Sequence, residues 1–343
     1  GQPVAVSTST RNLQDQLVDE LQRLQAWLPF HYQVLKGRAN YTSVSAFDVL
    51  RQTRDEMPLE TRLDLVYLLR CLQTTKEGTL DELHYWFERT YPSFADLRSQ
   101  ISYELEGSCP DCDLELPCFY HQALARANQS DLLVINHALL LVAPWGEHDW
   151  PLPRALVVDE GHNLEDACTS SLTQEVSYLT LRAFLNRLHD PRRRIGLMLR
   201  LRRNLPSEVR VQAMVREFLE KDLPLARHAG VDFGQHLKDY VERTGLALHP
   251  LYGAKLRLIR DPRRMDYRWQ TVDRFRAELQ DRLNRLAKKL AQLRDHLDRL
   301  PDAGFPFARE TRREITYLAE RAEAQARLFN EILLVQDGRG VYW

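Results

Sequence analysis

Between residues 272 and 300, leucines stand at positions 279, 283, 286, 290, 293, 297 and 300, alternately four and three apart. That spacing draws one apolar stripe down a helix; on a strand, where successive side chains alternate faces, it would draw none. A helix carrying such a seam needs a partner, because tertiary burial rather than propensity stabilises most helices in water. Residues 309–334 offer a weaker seam through Ile315, Leu318, Ala322, Phe329 and Ile332. The intervening "PDAGFPF" (301–307) is short, so the pattern predicts an antiparallel helical hairpin. The stripe reads as packing rather than as a ligand site.

The rest of the chain divides around two α/β-looking pieces. Residues 3–8, "PVAVST", read as a buried strand. A helix follows with leucines at 13, 17, 21 and 24, and Thr10 stands where an N-cap belongs. Residues 35–43, "LKGRANYTS", form a basic loop, and 47–57, 60–75 and 79–90 carry helical patterns. Prolines 92, 110 and 117 then bracket an irregular, cysteine-bearing stretch. "CFYHQALARANQS" returns to helix, and "DLLVINHALLLV" reads as strand, then helix. From about 173 onward helices dominate, broken at Pro191, Pro206, Pro250 and Pro262, and "GRGVYW" looks like a strand leaving that block. Pieces 1–30 and 131–170 thus flank one insertion and precede another, which predicts a sheet interrupted by excursions.

The second piece contains "ALVVDEGHNLED" (155–166), an apolar run that breaks into Asp159 and Glu160. Such a run predicts a buried strand whose C-terminal end meets a polar crevice, where α/β sheets bind ligands. Carboxylates there can hold a hydrated magnesium ion and polarise an attacking water, the chemistry of nucleotide hydrolysis.

Composition narrows the classes. With 44% hydrophobic and 28% charged residues, the chain can bury a core and is not a disordered tail. It has no run of eighteen apolar residues, and "GQPVAVSTST" lacks signal-peptide character, so a soluble, cytoplasmic protein is expected. A net charge of −1 does not announce a polyanionic partner, but residues 182–203 hold eight arginines against one aspartate. That run reads either as a solvated helical face or as a phosphate-binding stripe through Arg192, Arg193 and Arg194. Tyr267, Arg268 and Trp269 in "RRMDYRW" read either as a stacking platform for bases or as ordinary packing of aromatics.

Three of the five cysteines fall within ten residues, as Cys109-x2-Cys112-x5-Cys118. Thiolates so spaced converge on a soft metal centre, zinc or an iron–sulfur cluster. Either needs a fourth ligand, with Cys71, Cys168, His121 and His84 as the choices; a small buried thiol is the better reading of Cys168.

In this order the motifs resemble the iron–sulfur helicases of superfamily 2, the DinG and XPD group, and within it the bacterial DinG branch. "VAVSTSTRNLQDQL" resembles their motif Ia, "LKGRANY" the entry to their iron–sulfur domain, and "CFYHQALARANQSDLLVINHALLL" the return to the motor. "LVVDEGHNLEDA" resembles their DEAH box, with Gly161 in the alanine slot. The resemblance implies an α/β plus mostly α architecture: residues 1–35 and 131–172 from a RecA-like motor domain, 36–130 an iron–sulfur domain, 173–334 a helical arch, and 335–343 a strand returning to the motor. It implies that Asp159 binds magnesium, that Glu160 activates the hydrolytic water and that His162 couples nucleotide state to the rest of the motor. Thr8, Thr10 and Asn12 would touch DNA phosphates, with Lys36 and Arg38 nearby; Lys36, Arg38 and Tyr41 are candidates to bind a single strand through basic and aromatic side chains; Cys109, Cys112 and Cys118 would ligate a [4Fe–4S] cluster. The parent would be an ATP-dependent DNA helicase moving 5′ to 3′ on single strands, in repair or replication. It would act as a monomer on single-stranded, fork or flap DNA, associated with the bacterial nucleoid and not with a membrane.

Two departures stand out. The family has a cysteine two residues past "NY", and this chain has Ser43; Cys71 is the replacement ligand considered, with zinc as the alternative metal. No G-x-x-x-x-G-K-[ST] occurs, so the phosphate loop and the second motor domain are expected outside a fragment that would not hydrolyse ATP well alone. A different class of function, a zinc-stabilised protein-interaction module without catalysis, fits the cysteines and the hairpin as well.

Overall fold

The computed structural model describes residues 2–52, 54–83, 89–91, 94, 97–98, 101–102, 118–147, 149–243 and 269–334. The chain forms two compact units, one of residues 1–48 and 60–174, the other of 49–59 and 175–343.

The first unit is built on a four-stranded parallel sheet. Strand β1 (Val4–Thr8) leads into helix α1 (Arg11–Gln25), and β2 (Tyr32–Val34) follows. Thr10 caps α1 as its spacing predicts: the hydroxyl accepts from the Leu13 amide at 3.3 Å, satisfying one of the amides a helix start leaves over. The inserted stretch contributes α2 (Val44–Arg51) and α3 (Leu59–Thr74), of which residues 49–51 and Leu59, with the turn between the two helices, count with the second unit. Helix α2 begins three residues earlier than the 47–57 pattern suggests, because the Ser43 hydroxyl accepts from the Ala46 amide at 3.2 Å. It also ends sooner, and Arg54–Glu56 form a separate 3-10 turn. The helix expected over 79–90 starts as a 3-10 turn at Leu80–Glu82, opened by a capping box of Thr79 and Glu82; residues 89–90 are helical, and 84–88 lie outside the described residues.

After the cysteine segment, α4 (Phe119–Gln129), β3 (Leu132–Asn136), α5 (His137–Val142), β4 (Ala155–Val158) and α6 (Leu164–Leu172) complete the unit. The sheet order is β2-β3-β1-β4, with Val6 of β1 paired to Val134 on one side and Val157 on the other. Ala5, Leu133 and Ile135 are fully buried. Strand β4 corrects one expectation. It is an edge strand rather than a buried one, with Leu156 48% and Val157 51% exposed within this chain.

The second unit is helical: α7 (Tyr178–Leu188), α8 (Leu197–Asn204), α9 (Val209–Glu217), a π-helical turn at Phe218–Asp222, α10 (Leu223–Arg243), α11 (Trp269–Leu297) and α12 (Ala308–Leu334). Leucines 279, 283, 286, 290, 293 and 297 are all buried, against Ile315, Leu318, Ala322 and Phe329. Each contributes roughly 2 kcal/mol of apolar burial, which makes the seam the main support of the unit. The hairpin is antiparallel: Arg276, early in α11, donates to Asn330 late in α12 at 2.6 Å, and Arg312, early in α12, donates to the carbonyl of Leu297 at the end of α11. Two expected seam members lie at its fringe, since Leu300 stands past the end of α11 and Ile332 is half-buried. The hairpin is also not alone, because Phe233 of α10 meets Phe329 edge-on at 5.3 Å and joins the same core. The strand expected at 335–343 lies outside the described residues.

Candidate functional site

The C-terminal ends of β1, β3 and β4 lie side by side. The Asp159 amide donates to the Ser7 carbonyl at 2.9 Å, extending the β1–β4 ladder by one bond into the acidic turn. Glu160 then takes a left-handed conformation (φ +53°), and the chain turns through a 3-10 segment at Gly161–Asn163 into α6. A non-glycine residue in that region is strained, and such strain concentrates at functional sites. His162 Nδ1 lies 3.2 Å from Glu160 Oε2, with both side chains open to solvent. The described residues hold no group of three or more His, Cys, Asp or Glu able to enclose a metal ion. An exposed carboxylate pair suits magnesium all the same, which is held by one or two carboxylates, waters and substrate phosphates rather than by a protein cage.

Gly161 has an ordinary backbone conformation, and a methyl group built there would sit 3.8 Å from Val158, an ordinary contact. Alanine therefore fits this slot, and the glycine does not alter the turn.

The neighbouring strand ends are held by a contact that the sequence did not suggest. Ser7 Oγ and His137 Nδ1 lie 2.7 Å apart in the buried interior. They are 130 positions apart, so no local pattern could pair them. Asn136 caps α5 next to them, accepting from the Leu139 amide at 2.9 Å.

The residues expected to meet DNA separate into inward and outward groups. Thr8 is 1% exposed and its hydroxyl donates to the Thr10 carbonyl, so it braces the β1–α1 turn. Thr10 and Asn12 are exposed at the start of α1. Lys36 is paired with Asp81 at 2.9 Å, and the Arg38 guanidinium lies 5.5 Å from the centre of the Tyr120 ring. Tyr41 is corrected from a surface residue to a core residue. It is 1% exposed and meets Tyr120 edge-on at 5.6 Å, which leaves no ring face for a base. Burial drives its phenol pKa well above the usual tyrosine value.

In the helical unit the arginine run is not one stripe. Arg200 is buried against Glu314, and Arg187 approaches the same carboxylate while lying over the Tyr317 ring. Arg203 donates to the Gln52 carbonyl. Arg193 is pinned to Asp190 at 2.8 Å, whereas Arg192 and Arg194 on the same turn are exposed. Trp269 packs edge-on against Tyr240 at 5.1 Å, so its packing role is the observed one; Tyr267 and Arg268 lie outside the described residues.

Of the cysteines, Cys109 and Cys112 lie outside the described residues, as does His84. Cys118 is buried at the N-cap of α4, where its sulfur accepts from the His121 amide and lies 3.1 Å from His121 Nδ1. Cys71 is half-buried on α3, beside a cavity of about 60 Å³ lined by Leu68, Thr79 and Ile101. Burial pushes its thiol pKa up, against the thiolate form that binds metals. Cys168 is half-buried on α6. Ser43, in the position where the resemblance expects a thiolate, is buried; besides capping α2 its hydroxyl lies 3.0 Å from that of Ser45.

No protein-family model matches the chain. It is 34% identical over 221 residues to the ATP-dependent helicase DinG of Mycobacterium tuberculosis (strain ATCC 25618 / H37Rv), covering 55% of this chain and 32% of that protein. It is 29% identical over 192 residues to the 3′-5′ exonuclease DinG of Bacillus subtilis (strain 168), covering 54% and 20%. With the ATP-dependent DNA helicase YoaA of Escherichia coli (strain K12) it shares 26% over 187 residues, covering 51% and 28%. The matched region thus spans about a third or less of each of these relatives.

Proposed function

We propose that this chain, a relative of DinG-type helicases over about half of its length, is part of an ATP-dependent DNA helicase. In this reading residues 1–35 and 131–172 belong to the first motor domain, 36–130 form a metal-bearing domain and 173–334 form the arch. Asp159 holds the magnesium of bound ATP, Glu160 orients and deprotonates the attacking water, and His162 relays nucleotide state from beside Glu160. The arrangement that carries this reading is the acidic turn at the C-terminal end of a parallel strand, hydrogen-bonded to the strand that leads into Thr10 and Asn12. A single β1–β4 ladder then joins the phosphate-handling turn to the loop that touches the DNA backbone.

The chain's own capacity is to bind single-stranded DNA, the form met by a motor moving 5′ to 3′ toward a fork or flap. Thr10, Asn12 and Arg38 serve in the sheet unit, and Arg192 and Arg194 in the helical unit. Fluorescence anisotropy with a labelled single strand across a salt series tests this. The logarithm of affinity should fall with the logarithm of salt, by about 0.7 for each phosphate contacted. Affinity independent of salt, or no binding at low salt, contradicts it.

A further inference from the structure

The short connection 301–307, which turns α11 back into α12, holds its two phenylalanines in different ways. Phe305 is buried in the helical core, with the Arg312 guanidinium 5.6 Å from its ring centre, and so anchors the loop. Phe307 is 41% exposed and sits at φ +57°, in the left-handed region that glycine enters freely and a bulky aromatic rarely does. Burial does not account for this strain, because the ring stays open. Strained backbone of this kind clusters at ligand clamps.

Phe307 borders an open cavity of about 580 Å³, walled also by Pro301 and Pro306 of the same loop and by residues 203–208, which link α8 to α9. A volume of roughly 300–1,000 Å³, apolar walls and a few converging polar groups mark a small-ligand pocket. Three polar side chains, Gln52, Arg203 and Glu208, converge here, all of them in the second unit. Arg203 donates to the Gln52 carbonyl, and Asn204 donates to the Gln52 side-chain oxygen at 3.3 Å. The second bond orients the amide. Its nitrogen, Nε2, is enclosed and has no hydrogen-bond partner among the described residues. An enclosed donor left unspent is costly, and an acceptor on a ligand would satisfy it. The occupant that suits these groups is flat, apolar on its faces and polar along its edge. A nucleobase has that form.

We propose that this cavity takes one base of a single strand. The base stacks on the Phe307 ring, the Gln52 amide donates to an acceptor on its edge, and Glu208 accepts from its exocyclic amino group. Arg203, exposed at the rim, meets the adjoining phosphate. Glu208 makes the pocket selective for a base with an amino group, such as cytosine, against thymine, which has none. The proposal rests on the single-strand reading above and adds a place where a base, rather than a phosphate, is gripped.

Fluorescence anisotropy of the whole chain with labelled strands of deoxycytidine or thymidine, and with an abasic strand of equal length, tests it. The wild-type chain should bind the cytosine strand about fivefold more tightly than the thymine strand, the worth of one added hydrogen bond, and Glu208→Ala should erase that preference. Phe307→Gly should weaken cytosine-strand binding by about fivefold or more, as loss of one stacked base does, and leave binding of the abasic strand unchanged. Phe307→Tyr should keep the affinity. Because glycine suits a left-handed backbone, Phe307→Gly should unfold at the wild-type temperature or higher. Equal binding of the cytosine strand by wild type and Phe307→Gly overturns the pocket; if that binding still falls with salt, the single-strand reading stands. An equal loss on the abasic strand, or a lower unfolding temperature for Phe307→Gly, assigns Phe307 to packing and overturns the pocket too. No binding by the wild-type chain overturns the pocket and the reading together.

Discussion

Ser7 and His137 lock the ends of β1 and β3 together through a 2.7 Å hydrogen bond between hydroxyl and imidazole. The other ring nitrogen, Nε2, is buried and has no hydrogen-bond partner among the described residues. Ser7→Ala therefore leaves the whole imidazole unsatisfied. Thermal unfolding should show a loss of about 1–3 kcal/mol, the usual cost of orphaning a buried polar group.

Gly78 is a stricter position. Its φ is +69°, and a methyl group built there would fall inside the Phe119 ring, 2.0 Å from the nearest carbon. Gly78→Ala should therefore destabilise the sheet unit by about 2 kcal/mol or more. Gly161→Ala, in a roomy and unstrained position, should change stability by less than about 0.5 kcal/mol. Parallel melting curves separate the two.

Glu82 makes the sheet unit sensitive to acid. Burial works against its charge, but the amides of Lys76, Thr79 and Glu77 and the Thr75 hydroxyl donate to its carboxylate and hold the pKa below the usual glutamate value of 4.5. A depressed carboxylate pKa contributes stability that is fully present above the unfolded value and is lost as pH falls through the folded one. Wild-type stability should therefore decline below about pH 4.5. Glu82→Gln should be less stable at neutral pH and should flatten that decline in an acid titration followed by circular dichroism.

Within the helical unit, Leu290→Ala should cost about 3–5 kcal/mol, because the side chain is fully buried between α11 and α12. Leu300→Ala, beyond the helix end, should cost about 1 kcal/mol. Denaturant titrations that find the two equal would contradict the seam as observed.

The exposed arginines of the 191–194 turn give the DNA reading its own discriminator. Arg192→Ala and Arg194→Ala should each reduce the salt dependence of single-strand binding by about 0.7 in slope. Arg193→Ala should leave the slope unchanged, since that guanidinium is tied to Asp190.

The features legible in the sequence were those written locally. The Thr10 cap, the α11 seam, the strand-then-helix of 132–142 and the break into Asp159-Glu160 all depend on residues within one or two turns of each other. What stayed hidden depends on distant partners. Tyr41 looked like a surface aromatic in a basic loop until Tyr120 closed over it, and the arginine run looked continuous until Glu314 claimed two of its members. An apolar strand at a sheet edge spells the same letters as one in the centre, so the exposure of β4 was not legible either.

The most direct measurement of the proposed activity is steady-state ATP hydrolysis by the whole protein, with and without single-stranded DNA. If the acidic turn handles nucleotide, Asp159→Asn and Glu160→Gln should each lower DNA-stimulated hydrolysis by about a hundredfold or more while the protein stays folded. Hydrolysis undiminished in either variant would show that the carboxylates at the end of β4 take no part in the chemistry.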